Sequence, residues 1–231
     1  MVNEFTALGF PSDARSLLHL REAYPELLIR TGDAEVLRCP GGREELWFYR
    51  DGGELRCVPV CHSGTAAEIM PLRWWEAGPV GAQPILEAET SEFGLNIVVP
   101  GHAAGIEPGR PISMDVTLFA RKLNVFENAE VFQRRFQART ETELFLPVGT
   151  YCAEARDECI VVEPTAMVNG IVTGAELCLN PVGTAYWLLG LRCRGSSFTV
   201  AADRTFFDTP PQADSVVQGA FWLSGCLSEP L

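Results

Sequence analysis

Two runs bound the part of the chain that decides its fold: Ala166-Met-Val-Asn-Gly-Ile-Val-Thr-Gly-Ala-Glu-Leu-Cys178 and Gly219-Ala-Phe-Trp-Leu-Ser-Gly225. The first reads as a long strand interrupted by Gly170 and Gly174, positions that suggest bulges or tight bends. Asn180-Pro181-Val182-Gly183 is turn chemistry, because Pro fixes φ and Gly takes a positive φ at no steric cost. A second strand spans Ala185 to Cys193. Trp187, Leu189, Leu191 and Cys193 share one face, and Tyr186, Leu188, Gly190 and Arg192 the other. Arg194-Gly195-Ser196 turns the chain into a third strand, Ser197 to Ala202. After the loop around Pro210-Pro211, a last strand covers Ser215 to Leu227.

Outward from this core the signals remain short and strand-like. Ser12 or Asp13 caps a first helix that runs to about Ala23 and ends at Tyr24-Pro25. A three-strand meander follows at Ala34–Cys39, Glu44–Arg50 and Leu55–Val60, with Pro40-Gly41-Gly42 and Asp51-Gly52-Gly53 as its turns. Residues Glu76 to Pro84 read as a linker, and the apolar run Met70 to Trp75 docks the first unit on the rest. Ile85–Thr90 and Phe93–Val99 are strands. Ile112 to Ala120 alternates most cleanly, with Asp115 and Thr117 on the face opposite Met114, Val116 and Leu118. Asn128 caps a helix to about Gln137, whose apolar stripe is Val131, Phe132 and Phe136. Leu144–Pro147 and Cys159–Val162 are short strands, and no internal repeat is evident.

The expected class is therefore mainly β (α+β): short antiparallel strands with two or three short helices. It divides into a helix-plus-meander unit at 1–78 and a larger β unit at 85–231. A long glycine-bent strand, two hairpin partners, an irregular crossover and a closing strand resemble the OB-fold pattern over residues 165–227. That resemblance implies a small barrel with a ligand face on its second and third strands. Tyr186, Trp187, Arg192 and Phe198 are then the candidate ligand-binding residues. Charge opposes nucleic acid as the ligand: residues 160–231 hold three arginines against six carboxylates, and the chain carries a net charge of −12.

No 18-residue apolar stretch exists, so no membrane span is expected. Eight cysteines stand at 39, 57, 61, 152, 159, 178, 193 and 226. The N-terminus lacks the pattern of an export signal, so the thiols are expected free and the location cytoplasmic. Cys57-x3-Cys61-His62 is the tightest group of soft ligands. Its three-residue spacing, with Pro59 inside it and no second pair nearby, does not fit a structural zinc site, and no metal is expected. His102, within Pro100-Gly-His-Ala-Ala-Gly105, is a loop histidine with general-base chemistry available to it. Glu87, Glu89 and Glu92, then Glu141 and Glu143, have the pattern of carboxylate chemistry and equally that of a solvated strand face. Arg110, Arg121, Lys122, Arg134, Arg135 and Arg139 make residues 110–139 the one basic stretch.

These residues point to a binding or assembly module without a cofactor, taking a protein or a small ligand as partner. The alternative is an enzyme whose site is assembled from distant residues, with His62, His102, Glu87 and Glu89 as its parts. Convergence of such groups in space separates the two. The charge reading has its own check. Fluorescence anisotropy with labelled single-stranded DNA and RNA at low salt is expected to show no micromolar binding. Salt-sensitive affinity lost in a folded Trp187→Ala variant would place a nucleic-acid site on the barrel face.

Overall fold

The computed structural model describes residues 3–32, 34–38, 42–51, 54–75, 84–100, 106–137, 139–148, 150–152 and 160–228. Outside them lie Cys39, both expected meander turns in part, most of the linker, the His102 loop and Cys159. Among the described residues the chain is mainly β, with two α-helices. A 3-10 turn at Thr6–Leu8 precedes α1 (Ala14–Ala23), whose cap is Asp13, accepting from the Ser16 amide at 2.9 Å. Four strands then form an antiparallel meander in chain order: β1 (Leu28–Thr31), β2 (Ala34–Arg38), β3 (Glu44–Asp51) and β4 (Glu54–Cys61). Sequence patterning missed β1, because its four residues are too few to show an alternation.

The remaining chain builds one large sheet. Its first half contributes β5 (Ala66–Trp75), β6 (Ile85–Glu89), β7 (Gly94–Val98) and the 15-residue β8 (Ile112–Phe126). Next come α2 (Ala129–Arg135), capped by Asn128 on the Val131 amide at 2.9 Å, and β9 (Leu144–Pro147). A separate two-stranded ribbon joins β10 (Thr150–Cys152) to β11 (Ile160–Val162). The second half contributes β12 (Thr165–Leu179), β13 (Ala185–Cys193), β14 (Ser196–Asp203) and β15 (Val216–Leu227). The run Met70–Trp75 is therefore the second half of β5, paired with β6 in this large sheet.

Hydrogen bonding closes this sheet on itself. Strands β12, β13, β14, β8 and β15 form a ring in that order, with β14 parallel to β8 and every other pair antiparallel. Residues 165–227 thus supply four of the strands, and the fifth, β8, comes from outside that segment. The seam is uneven, since β14 meets β8 over three registered pairs, Thr199↔Thr117 to Ala201↔Phe119. A second ring runs through β5, β6, β7, β15 and β8, with the parallel step at Ser224↔Val98.

The two halves repeat one connectivity. In each, the first strand pairs by its N-terminal part with the fourth strand and by its C-terminal part with the second. A register shift marks the hand-over in both: Pro71/Arg73 in β5 and Val172/Gly174 in β12. The third strand of each half then lies parallel to the fourth strand of the other. The pair β8–β15 is the pseudo-twofold centre, antiparallel from Val216↔Phe126 to Leu227↔Met114.

Both faces of the central strands are covered. Met114, Val116, Leu118, Leu189, Leu191, Phe198, Val200, Phe221 and Leu223 belong to the core inside the rings. Phe119, Tyr186, Leu188, Ala201 and Trp222 belong to a second core with Leu8, Phe10, Leu17, Leu46, Phe48 and Val58. The helix and meander therefore cap the outer face of the rings. Two-sided burial explains why β13 and β15 read as continuous apolar runs instead of alternating ones.

Close packing at the centre rests on Gly219. A Cβ there would strike the Lys122 carbonyl oxygen of β8 and sit 2.8 Å from Cζ of Phe221. Gly219→Ala is expected to destabilise the protein by about 1–3 kcal/mol, the usual penalty of overpacking. Urea unfolding followed by tryptophan fluorescence measures it; an unchanged midpoint would mean that β8 and β15 are not this close.

Candidate functional site

A cluster of chemistry-bearing side chains lies where the meander meets one end of the β8–β15 pair. His62 leaves β4 directly, held by its amide on the Arg43 carbonyl at 2.7 Å. Glu45 lies on β3, opposite Val60. Asp115 on β8 and Cys226 on β15 are registered directly across from one another. Directly opposed residues of an antiparallel pair share a face, with Cβ atoms about 4.5–5.5 Å apart. Strand pairing alone thus brings a carboxylate and a thiol together, and the end of β4 adds the imidazole.

The contacts form a chain. Cys226 Sγ lies 3.3 Å from His62 Nδ1. Glu45 Oε1 lies 2.8 Å from His62 Nε2, as an ion pair outside good hydrogen-bond alignment. Arg38 Nε donates to the same Glu45 oxygen at 2.5 Å, and Trp47 Nε1 donates to the other at 2.8 Å. Asp115 accepts from Ser63 Oγ at 2.9 Å and from the Gly64 amide at 3.0 Å. One donor atom each of His62, Asp115 and Cys226 lie within 4.8 Å of one another.

Burial is graded across the group. The Glu45 side chain is 2% exposed and that of His62 39%, so the orienting carboxylate is enclosed while the imidazole reaches solvent. The contact with Cys226, reinforced by Glu45, pushes the His62 pKa up to about 10 against the opposing effect of burial. Burial raises the Glu45 carboxyl, but His62, Arg38 and Trp47 together outweigh it and hold that group below its ordinary value.

A second buried group lies on the same seam. Tyr186 donates to Glu44, which is 3% exposed. Burial, then Cys61 and Glu44, drives the Tyr186 hydroxyl above its ordinary pKa, so the phenol stays neutral. An open depression of roughly 390 Å³ lies elsewhere, beside the meander, and includes Arg21, Arg30, Glu35 and Tyr49. Arg21 and Arg30 there both face Glu35, and none of the His62 cluster lines it. Chemistry therefore singles out the seam, although this depression is at the meander.

The residues singled out from sequence are dispersed. Tyr186 and Phe198 are fully buried, in the outer and inner cores respectively. Trp187 is half-buried, edge-on to Phe207 at 6.5 Å. Arg192 is exposed, 3.5 Å from Glu143. Glu87 accepts from Arg73 at 2.6 Å and Trp75 at 2.7 Å, and Glu89 ends β6 exposed. Glu141 and Glu143 are engaged by Arg194. His62 stands away from these, and His102 lies outside the described residues. Cys57 and Cys61, adjacent to His62 in sequence, are absent from its cluster; Cys226, 164 residues away, replaces them. Sequence reasoning missed Asp115, Cys226 and Glu45. The one available signal was a carboxylate inside an otherwise apolar strand, buried here to 4% exposure.

No family model, no curated protein and no solved structure matches this chain. Among the described residues, no helix is long and apolar enough to cross a membrane.

Cys57, Cys61, Cys178, Cys193 and Cys226 are free thiols in unlike settings. Burial raises the Cys57 and Cys61 thiols above their ordinary range and pushes Cys193 up to about 12. Brief treatment of native protein with iodoacetamide near pH 8 is expected to spare these three and to label Cys226. Peptide mapping by mass spectrometry reads the pattern, and early labelling of Cys61 or Cys193 would contradict this burial.

Proposed function

We propose that the chain is an enzyme of nucleophilic thiol chemistry, with Cys226 as nucleophile, His62 as its base and Glu45 orienting the imidazole. One observation carries this reading: Sγ, the two ring nitrogens and a buried carboxylate follow one another at 3.3 and 2.8 Å. A nucleophile, a base within reach of it and a third group holding the base are the parts that such chemistry needs. His62 Nδ1 holds the proton that the thiol gives up, and Sγ attacks an electrophilic acyl carbon. The leaving group departs with that proton. Water, deprotonated by the same nitrogen, then releases the acyl group as an acid and restores the thiol. Arg38 and Trp47 keep both Glu45 oxygens occupied, which holds the carboxylate ionised and fixed.

The ring of β12 to β15 with β8 is read here as an OB-like barrel that serves as scaffold. Its expected ligand face does not carry this proposal, because Tyr186 and Phe198 are core residues. A second reading, the binding or assembly module without a cofactor, is favoured by a different feature. Leu146 on the sheet-edge strand β9 and Met167 opposite it on β12 are 51% and 40% exposed. Apolar side chains at a sheet edge suit a protein partner.

The rate at which metal-free protein loses its Cys226 thiol to iodoacetamide separates the readings, since only the thiolate reacts. His62→Ala is expected to slow that reaction roughly tenfold or more, within the range that a positioned base supplies. Glu45→Gln is expected to slow it less, by loosening the ring. An unchanged rate in a folded His62→Ala protein would overturn the thiol reading and leave the module as the better one.

A further inference from the structure

We infer that His62, Asp115 and Cys226 form a binding site for a single thiophilic divalent cation of the zinc class, which masks the Cys226 thiol when bound. The inference concerns the same cluster as the proposed enzyme site and gives it a regulator. Once a cation displaces the ring proton, the donor set is an imidazole nitrogen, a thiolate and a carboxylate oxygen, the three ligand types that zinc accepts. Zinc bonds of about 2.3 Å to sulfur and 2.0 Å to nitrogen, at a tetrahedral angle, set the two donors about 3.5 Å apart. The observed Sγ···Nδ1 separation is 3.3 Å, and all three donor atoms lie within 4.8 Å of one another.

A separate observation supports a ligand site: each hard donor is held from behind. Glu45 stands 2.8 Å from the far nitrogen of His62, the position a carboxylate takes behind a ligating imidazole. Ser63 Oγ and the Gly64 amide fix the two Asp115 oxygens, each of which keeps a lone pair for a cation. Asp115 and Cys226 are set by backbone register across β8–β15, so their spacing does not depend on loop conformation. Three protein ligands leave the fourth tetrahedral position to water or to another donor. Cys57 and Cys61 take no part.

The test uses the full chain, stripped with a chelator and dialysed, titrated with zinc chloride by calorimetry. One Zn²⁺ per chain is expected. Cys226→Ser and Asp115→Asn are each expected to weaken binding at least tenfold, and Glu45→Gln by about 10–100-fold, as an outer-shell partner does. Cobalt(II) in place of zinc should give a thiolate-to-metal charge-transfer band that Cys226→Ser abolishes. Circular dichroism confirms that each variant is folded; should Asp115→Asn unfold, the cobalt band with Cys226→Ser decides alone. Zinc should also slow alkylation of Cys226. No binding, or binding unchanged in Cys226→Ser, overturns the site. The enzyme reading fails on another measurement: loss of the His62 effect on alkylation in metal-free protein. A zinc site with no such effect would leave the cation site standing and the thiol enzyme refuted.

Discussion

The antiparallel pairing of β8 with β15 is the constraint on which the rest depends. It belongs to both rings, spans from Val216↔Phe126 to Leu227↔Met114, and stands at the pseudo-twofold centre. Each of these strands reaches beyond one ring because it is long enough to serve two. That length comes with a hydrogen-bonding demand. Three neighbours must be satisfied along each strand, and the structure does so by giving different stretches of one strand to different partners. The bulges at Pro71/Arg73 and Val172/Gly174 follow from the same demand, since each sits where a strand changes partner.

From this centre the burial pattern follows. Alternate residues of β8, β13, β14 and β15 line the ring interior, and the others need a cover. The meander and the N-terminal turn and helix supply it, bringing Leu8, Leu17, Leu46 and Phe48 against Phe119, Tyr186 and Trp222. Burying each such side chain is worth about 1.5–3 kcal/mol, so a contact of this extent ties meander to rings firmly. Polar groups caught in that contact must then be paired. Tyr186 with Glu44, Thr117 with the Cys61 carbonyl and Ser224 with the Pro59 carbonyl meet this requirement. The His62 cluster stands at the open end of the same seam, where the imidazole is 39% exposed. Its chemistry is thus a consequence of how a polar edge is closed over an apolar barrel.

Local chemistry was legible from the residues themselves. Asp13 and Asn128 as caps, the strand limits of β13, β6 and β7, and a mainly β class rest on propensity, periodicity and turn residues, all short-range properties. His62 was also legible as a candidate, from its soft neighbours. The repeat was invisible because it lies in connectivity alone: Ile85–Glu89 and Ala185–Cys193 occupy equivalent places with unrelated residues. Both faces of those strands are buried, and many apolar residues satisfy such a position equally well.

What the tertiary structure alone decided is partnership. Ring closure through β8 needs a parallel pairing between strands about 80 residues apart, and no local signal encodes it. The partners of His62 were decided in the same way. Cys57 and Cys61 are near it in sequence, yet strand alternation and burial carry their thiols elsewhere, whereas register across β8–β15 delivers Asp115 and Cys226. A one-residue slip in that register would turn these side chains to the other face. Sequence therefore determined which side chains were available and which segments would be strands. Long-range pairing, driven by burial of two apolar faces, decided which of them meet.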